Sequence, residues 1–519
     1  MSPPFKAPVD MASYQEMADR LRGLAPSAGD MTADSRRVRP GDIFLAHPGS
    51  LHDGRAHIPQ AIRAGAAAVA WEPMGWDWNS DRSVAHLPVP GLRERAALLA
   101  AAWYGQPSEK LWMTGVTGTN GKTSVAHWLA AAWSGLGRRT ATIGTVGNGF
   151  LDTDGRLVAD SDLAHATHTT PDPVRLQGLL AHYLESGARG VAMEVSSHGL
   201  DQGRVEGVAF DVAVFTNLSR DHLDYHGDMA TYAAVKSRLF HWPGLQWAVV
   251  NRDDELGATL AGQLAGGPAR VLGYGLLAGD LRGEIRRADH LGLCLAIDSP
   301  WGRGELVSPL LGEFNAYNLL ATLGALLAGD VPLADALAAL EKVRPAAGRM
   351  QRVVIPERGD GPDDGPTVIV DFAHTPDALE KVLSALKPLA KGRLTCVFGC
   401  GGGRDTGKRP LMGSAVASVA DKAIVTSDNP RNEDPARIIA DILTGMPPGQ
   451  TAMLDRRSAI RAAILDAGRD DIVVLAGKGH EDYQEVHGVK HPFSDFEEAR
   501  AALRERAGLP VERDHHASV

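Results

Sequence analysis

The stretch Gly118-Thr119-Asn120-Gly121-Lys122-Thr123-Ser124 follows an apolar run, LWMTGV, and precedes a helical one, VAHWLAAAW. Glycines let a chain turn tightly enough for successive N–H groups to face an anion, and a following helix adds its dipole. In such a loop Lys122 would reach the β- and γ-phosphates of a nucleotide and Thr123 would turn its hydroxyl towards Mg²⁺. The common spacing G-x-x-x-x-G-K-[ST] is not met, because the position five before Gly121 is Val116 and Gly115 lies one further out. The loop therefore reads as a nucleotide loop of a variant type.

Two more apolar runs end in candidate ligands. GVAMEVSSHGLDQGRV places Glu194 at a strand terminus, with Ser196, His198, Gln202 and Arg204 beyond it. DVAVFTNLSRDHLDYHG gathers Asn217, Asp221, His222, Asp224 and His226 in one loop. Hard oxygen ligands suit Mg²⁺. The histidine and acid spacings match no zinc pattern, and no cysteine is near. His198 and His226 taken singly read equally well as ordinary loop histidines. Glu194 asks for a partner, since an acid ending an apolar strand is costly to bury alone. Lys236, in the helical YAAVKSRLF, reads on its own as a helix lysine that stretches its amine out to water. A lysine modified to carry negative charge is the alternative.

These residues need elements to hold them. At 519 residues the chain is long enough for about three domains. Residues 1–108 carry DSRRVRPGDIFLA, a helical HIPQAIRAGA and a short AAVAWE strand, and the turn-rich YGQPSEK closes them off. Residues 109–343 alternate strands LWMTGV, GVAMEV, DVAVFT and WAVVN with helical patterns, as βαβ units do. Residues 344–519 repeat the alternation with TVIVDF, RLTCVFG, KAIVTS and DIVVLAG. The Pro-, Gly- and Asp-rich run 356–366 reads as an exposed hairpin loop, and the tail RDHHASV as frayed. Nearly every strand of the second and third blocks runs into a polar or Gly-rich cluster, and parallel sheets bind ligands at their carboxyl ends. Chemistry is expected between those two blocks.

Composition narrows the classes. The chain is 44% hydrophobic and 22% charged, with net charge −10. No basic run points to nucleic acid, no apolar run is long enough for a membrane span, and the start MSPPFKAPVD lacks a secretory pattern. Cys294, Cys396 and Cys400 are the only cysteines, an odd count that argues against a disulfide framework. A reducing cytoplasm is the expected compartment, and a monomer the expected form.

The ordered set TGTNGKTS, HTTPDP, MEVSSHGL, NLSRDHLDYHG, YAAVKSRLF, GEFNAYNLLAT, GRMQ, DFAHTPDAL, GCGGGRDTGKRPLMG, SDNPRNEDP and AGKGHEDYQ covers roughly residues 30–500. As a set it resembles the Mur ligase family of bacterial cell-wall synthesis, which uses this variant phosphate loop. The resemblance implies an α/β protein of three domains. Residues 1–108 would bind the UDP-sugar, 109–343 would form an ATPase domain on a P-loop-type parallel or mixed sheet, and 344–519 a Rossmann-like amino-acid domain. It implies ATP and Mg²⁺, with UDP-MurNAc-L-Ala-D-Glu and meso-diaminopimelate as partners, joined through an acyl phosphate.

Residue by residue, the resemblance gives Ser35 and the GSLHDG turn to the UDP end of the substrate. Thr169, Thr170, Ser196, Gln202 and Arg204 go to its peptide arm, with His168 where the family often has Asn. Thr123, Glu194, His222 and a carbamylated Lys236 would ligate magnesium, and Lys122, Glu194, His222 and Lys236 would form the catalytic set. Asn315, Arg349 and Asp371 would contact the nucleotide, with His374 nearby and Phe372 where the family frequently has Tyr. Asp428, Asn429, Pro430 and Arg431 of SDNPR, with Arg404, Gly477 and Glu481, would hold the amino acid. The Arg431 guanidinium can fork onto a far carboxylate, which lysine lacks, and Glu481 would meet the far ammonium. A lysine-adding ligase, a folylpolyglutamate synthase and a non-catalytic ATP-binding switch are the competing readings.

Overall fold

The structure, a computed structural model, describes residues 11–49, 52–79, 84–153, 155–158, 168–289, 292–355 and 365–510. Residues 356–364 of the expected hairpin loop, the 513–519 tail, and Ser50 and Leu51 of the GSLHDG turn lie outside them. Three sheets dominate, each with its own apolar core.

The first is a four-stranded parallel sheet, Met31–Thr32, Ile43–Ala46, Ala68–Trp71 and Ala85–Pro88 in that spatial order. Its middle strands are buried along their whole length, so they read as unbroken apolar runs rather than alternating ones. The helix Leu92–Trp103 packs nine buried residues, eight of them after Arg95, against neighbouring helices and the sheet.

The central sheet has eleven strands. Trp112–Thr117 lies between Val212–Phe215 and Gly190–Glu194, all parallel. Trp247–Asn251 and Arg270–Gly275 extend the parallel part on one side and Thr140–Gly144 on the other. An antiparallel meander, Leu281–Asp289, Gly292–Ser299 and Gly302–Ser308, continues one edge. The alternation of strands and helices predicts four of the parallel strands and passes over Arg270–Gly275. It misses the meander and Thr140–Gly144, whose short runs sit among Gly and charged residues. The helix Glu313–Ala328 is apolar on nearly every face and is correspondingly buried, lying against the sheet and the helix Lys122–Gly135. Trp128, Val125 and Leu129 of the latter helix are fully enclosed, at roughly 1.5–3 kcal/mol of burial for each such side chain. That anchorage fixes the helix whose N-terminus the phosphate loop enters.

The third sheet runs Gln351–Arg352, Thr367–Asp371, Ile472–Ala476, Leu394–Phe398, Lys422–Thr426 and Thr451–Met453, parallel except for the first. A small hairpin, Tyr483–Val486 with Val489–Pro492, stands beside it. All four strands expected here form, each within a residue of its expected ends. No described helix is long and apolar enough to cross a membrane.

Candidate active site

The phosphate loop leaves the strand Trp112–Thr117 and enters the helix Lys122–Gly135. Two glycines are required by the geometry. Gly118 has φ 145° and a Cβ there would lie 1.9 Å from Thr216 Oγ1; Gly121 has φ 86° and its Cβ would lie 2.3 Å from Asn318 Oδ1. Asn217 fixes the loop from the neighbouring strand end, its Oδ1 accepting from the Asn120 N–H at 3.0 Å and its Nδ2 donating to the Asn120 carbonyl at 3.1 Å. Asn315 reaches this loop only at second hand: its Oδ1 accepts from Asn318 Nδ2 at 3.0 Å, and Asn318 backs Gly121.

Lys122 folds over its own loop, donating to the carbonyls of Gly118 at 3.0 Å and Thr119 at 2.8 Å. Burial lowers its pKa, against the opposing pull of Glu194 and Asp221. The same Gly118 carbonyl accepts from Lys236 Nζ at 2.7 Å. Lys236 is 1% exposed, with its Nζ 4.5 Å from the Tyr232 ring centre. The reading of Lys236 as a helix lysine stretching to water is therefore overturned: the helix Met229–Ser237 turns this face inward onto the phosphate loop. Burial and the nearby Lys122 push its pKa well down, towards a neutral amine.

Glu194 ends its strand buried and fully partnered, as its position requires. Oε1 accepts from the Thr145 N–H at 2.7 Å, and Oε2 from Thr145 Oγ1 at 3.1 Å and Thr123 Oγ1 at 3.0 Å. Thr123 is thereby in contact with Glu194, as the expected ligand set demands. His222 is not joined to them. It has φ 55°, its side chain is 41% exposed, and its Nε2 lies 3.4 Å from Asp221 Oδ2. Burial lowers the His222 pKa even though Asp221 opposes this, and Asp221 itself stays below the carboxylate range because His222, His374 and Lys408 outweigh its burial. His198 stands edge-on to His222 with ring centres 4.9 Å apart, and His226 Nε2 lies 2.9 Å from Ser197 Oγ.

Among the described residues no group of three His, Cys, Asp or Glu side chains is placed to hold a metal. Mg²⁺ does not need such a cage, since it commonly takes one or two protein oxygens and completes its shell with phosphate and water. The adjoining Thr123 hydroxyl and Glu194 carboxylate fit that requirement.

Five of the residues expected to hold the peptide arm form one network beside Glu194. Thr170 Oγ1 donates to the Glu194 carbonyl at 2.9 Å and accepts from the Ser196 N–H at 2.9 Å. Arg204 donates to the Thr170 carbonyl at 2.8 Å and to Gln202 Oε1 at 2.7 Å, and Thr145 Oγ1 reaches Thr169 Oγ1 at 3.1 Å. Ser35 stays with the first sheet, its hydroxyl donating to Gln60 Oε1 at 3.2 Å. His168 is exposed, and partial desolvation with Arg204 nearby lowers its pKa.

Contacts close the central and third blocks over the loop. Arg349 Nη2 donates to Thr123 Oγ1 at 2.9 Å and its guanidinium lies 4.5 Å from the Phe372 ring centre, so the ring serves as a stacking surface. Asp371 accepts from the N–H groups of Met350 and Ala373, and burial raises its pKa, against the pull of Arg349. The helix Pro376–Leu386 starts with Thr375 as its cap and Pro376 in its first turn, which aims Asp377 at the loop. Its Oδ2 accepts from Asn120 Nδ2 at 2.8 Å and Ser219 Oγ at 3.1 Å.

The residues expected to hold the amino acid gather at the carboxyl ends of the third sheet. Arg431, at φ 52°, donates to the Gly402 carbonyl at 2.7 Å and keeps its Nε 3.4 Å from Glu485. Asn429 Nδ2 donates to Glu481 Oε2 at 2.7 Å, and Pro430 is buried between Asn429 and Arg431. Asp428 is held below its usual pKa because Lys478 and Arg456 outweigh its burial. Gly477 joins two sites, donating its N–H to the Asp371 carbonyl while packing on Asp428. Arg404 is exposed, close enough to His198 to lower its pKa.

Sequence reasoning passed over Thr145, Asp377, Arg456 and Lys478. Thr145 follows a strand that was not anticipated, so the rule of strand ends had nothing to attach to. Asp377 and Lys478 sit inside motifs already singled out, but nothing in their spacing gives them partners. Arg456 and Asp495 are both wholly buried and paired at 2.6 Å, 39 positions apart, which no local pattern reports.

Three family models match the chain: the Mur ligase family, catalytic domain, at residues 30–104, the Mur ligase middle domain at 116–326, and the Mur ligase, glutamate ligase domain at 348–479. The chain is 52% identical to the UDP-N-acetylmuramoyl-L-alanyl-D-glutamate–2,6-diaminopimelate ligase of Chromobacterium violaceum, over 91% of this chain and 93% of that protein. It is 51% identical to the ligase of the same name from Pseudomonas aeruginosa, over 91% and 94%. A solved structure of a ligase of that name is 36% identical and superposes with a TM-score of 0.62, covering 92% of this chain and 95% of that one. The MurF ligase of Thermotoga maritima in complex with ADP shares the fold at 17% identity, with a TM-score of 0.65 over 93% and 98%.

Proposed function

The chain belongs to the Mur ligase family and is an ATP-dependent amide ligase, and we propose that it joins meso-diaminopimelate to the D-glutamyl γ-carboxylate of UDP-MurNAc-L-Ala-D-Glu. The observation that carries this reading is the Arg349–Thr123 bond, which ties the phosphate loop to the third block, whose strand ends carry the SDNPR motif. Names of relatives about half identical in sequence support the choice of amino acid, and so does Arg431, whose fork suits a far carboxylate. In this reading 1–108 takes the UDP-sugar, 109–343 the ATP and 344–519 the amino acid.

A carboxylate resists amide formation because oxide is a poor leaving group. The γ-carboxylate oxygen attacks the γ-phosphorus of ATP, ADP departs, and the resulting acyl phosphate is open to the amine. The amine nitrogen then bonds to the carbonyl carbon, loses a proton, and phosphate leaves. Two anions must meet in the first step, and Lys122 and Arg349 supply the fixed positive charge that offsets their repulsion. Thr169, Thr170, Ser196, Gln202 and Arg204 hold the acceptor arm beside Glu194. Thr123 and Glu194 would hold Mg²⁺, which would neutralise the triphosphate charge. Asn315 and Asp371 shape the nucleotide site from behind through Asn318 and Met350. Lys236 is the proposed carbamylated residue: an uncharged amine, which burial beside Lys122 favours, adds to CO2 and releases a proton, becoming an anion that Lys122 can hold. His222, with Asp221, would complete this side once the substrate is in place. The proposed compartment is the cytoplasm and the proposed form a monomer.

Phosphate release from ATP, measured with UDP-MurNAc-L-Ala-D-Glu and either meso-diaminopimelate or L-lysine, tests the reading. Turnover with diaminopimelate alone is expected. Turnover with lysine instead would keep the ligase and discard the account of the pocket.

A further inference from the structure

We propose that Thr145 is a positioning residue whose hydroxyl couples the acceptor arm to the metal carboxylate: it leaves Glu194 when Thr169 engages the arm, and so opens Glu194 to Mg²⁺. The proposal rests on the reading of Thr123 and Glu194 as Mg²⁺ ligands and of Thr169 as a contact of the arm. Glu194 is buried and its oxygens are nearly all taken. Oε1 accepts from the Thr145 N–H at 2.7 Å and is crowded by Gly144, where a Cβ would lie 2.2 Å from it. Oε2 accepts from two hydroxyls, Thr145 Oγ1 at 3.1 Å and Thr123 Oγ1 at 3.0 Å, which fills its two lone-pair directions. A cation can therefore reach Oε2 only when one of these hydroxyls turns away.

The two hydroxyls differ in where else they can go. Thr123 Oγ1 already accepts from Arg349 Nη2 at 2.9 Å, and among the described residues Glu194 is the one acceptor for its proton. Thr145 Oγ1 has a choice, because Glu194 Oε2 and Thr169 Oγ1 both lie 3.1 Å from it. A hydroxyl carries one proton, so the Thr169–Thr145 bond can run in either direction. While Thr169 donates to Thr145, Thr145 donates to Glu194. When Thr169 turns its proton to an oxygen of the acceptor arm, its own oxygen becomes the acceptor for Thr145, and Oε2 is left with Thr123 alone. The main chain need not move, since the His480 ring is hydrogen-bonded to the Thr145 backbone and the Thr145 N–H stays on Oε1. Arm and metal then favour the same arrangement of two hydroxyls, and the coupling is reciprocal by linkage. Glu194 is thereby ready for the metal only when the acceptor is in place, which would limit loss of ATP to water.

The probe is Mn²⁺, with the free ion counted by EPR, titrated into the full-length protein saturated with UDP-MurNAc-L-Ala-D-Glu or with UDP-MurNAc, which carries the same diphosphate and no arm. In the wild type the Kd for Mn²⁺ is expected to be lower with the arm by about fivefold or more. Thr145→Val keeps the shape and the N–H and deletes the hydroxyl, so Oε2 is open throughout. Its arm-free Kd should drop to the arm-bound wild-type value, and the ratio of the two should fall to one. Thr145→Ser should keep the wild-type ratio. A mere structural support acts the other way, because its loss weakens metal binding by roughly ten- to a hundredfold. A rise in the arm-free Kd of Thr145→Val, or an unchanged ratio, overturns the proposal. Should Thr145→Val not fold, Thr169→Val carries the comparison: Thr145 then has only Glu194 to bond, and the ratio should fall to one at the weaker, arm-free Kd, whereas a retained ratio overturns the coupling. Glu194→Gln separates this from the reading of the metal site. Mn²⁺ binding that Glu194→Gln leaves intact fails that reading and the proposal with it, whereas binding lost in Glu194→Gln but indifferent to the arm in the wild type fails the proposal alone.

Discussion

Arg456→Met should loosen the third sheet far more than the loss of one surface arginine would. The guanidinium forks onto Asp495 at 2.7 and 2.6 Å, and both side chains are wholly buried. It also donates to the Ala476 carbonyl at 2.9 Å and the Ser427 carbonyl at 3.3 Å. Those carbonyls end two strands that are not neighbours, since Leu394–Phe398 lies between them, and they directly precede Gly477 and Asp428. One side chain therefore ties together the two strand ends that carry the proposed amino-acid pocket. Removing it strands a buried carboxylate, which costs about 3–5 kcal/mol. Replacing both partners in Arg456→Met/Asp495→Leu removes the stranded charge and should recover most of that. Three cores in one chain make a single unfolding free energy ill-defined, so hydrogen exchange of the strands Lys422–Thr426 and Ile472–Ala476 is the suitable assay. Their protection should drop by roughly two to three and a half orders of magnitude in the single variant, by the relation of about 1.4 kcal/mol per tenfold. The KM for the amino acid should rise in both variants, because the two carbonyls lose their shared donor. A single variant within about 1 kcal/mol of wild type, or a double variant as damaged as the single, would refute the reasoning.

Gly118→Ala should abolish ATP-dependent turnover while leaving the first and third sheets folded, because the methyl would meet Thr216 Oγ1 at 1.9 Å in a left-handed backbone position; a variant with wild-type kcat/KM would show the loop can shift. His127 is buried, and burial pushes its pKa down to about 4 from 6.5. The unfolded chain therefore binds more protons between those values, and stability is full above pH 6.5 and falls on acidification through pH 4. That contribution is about 2 kcal/mol lost by pH 5, and His127→Gln should flatten the urea-midpoint profile by that amount; an unchanged slope would contradict it. If Lys236 is carbamylated, ¹³C-bicarbonate should give a carbamate resonance that Lys236→Ala lacks, and an identical spectrum from both proteins would remove that role.

The strands ending at Thr117, Glu194, Phe215, Asp371, Thr426 and Ala476 could be read from apolar runs broken by polar clusters, because burial on both faces writes itself into every residue of a parallel strand. The glycines and Lys122 of the phosphate loop were legible for a similar reason: the backbone requirement and the residue type coincide at adjacent positions. Membership of the family could be read as well, from the order of the motifs. What tertiary structure alone decided was which side chains are already used. Whether Lys236 faces water or the Gly118 carbonyl, whether Glu481 is a free acid or the partner of Lys478, and that Arg456 spans two strand ends all depend on residues brought together from distant parts of the chain. Local sequence sets periodicity and turn chemistry over a few residues, whereas the charge of a buried site is a sum over neighbours that only the packed chain supplies.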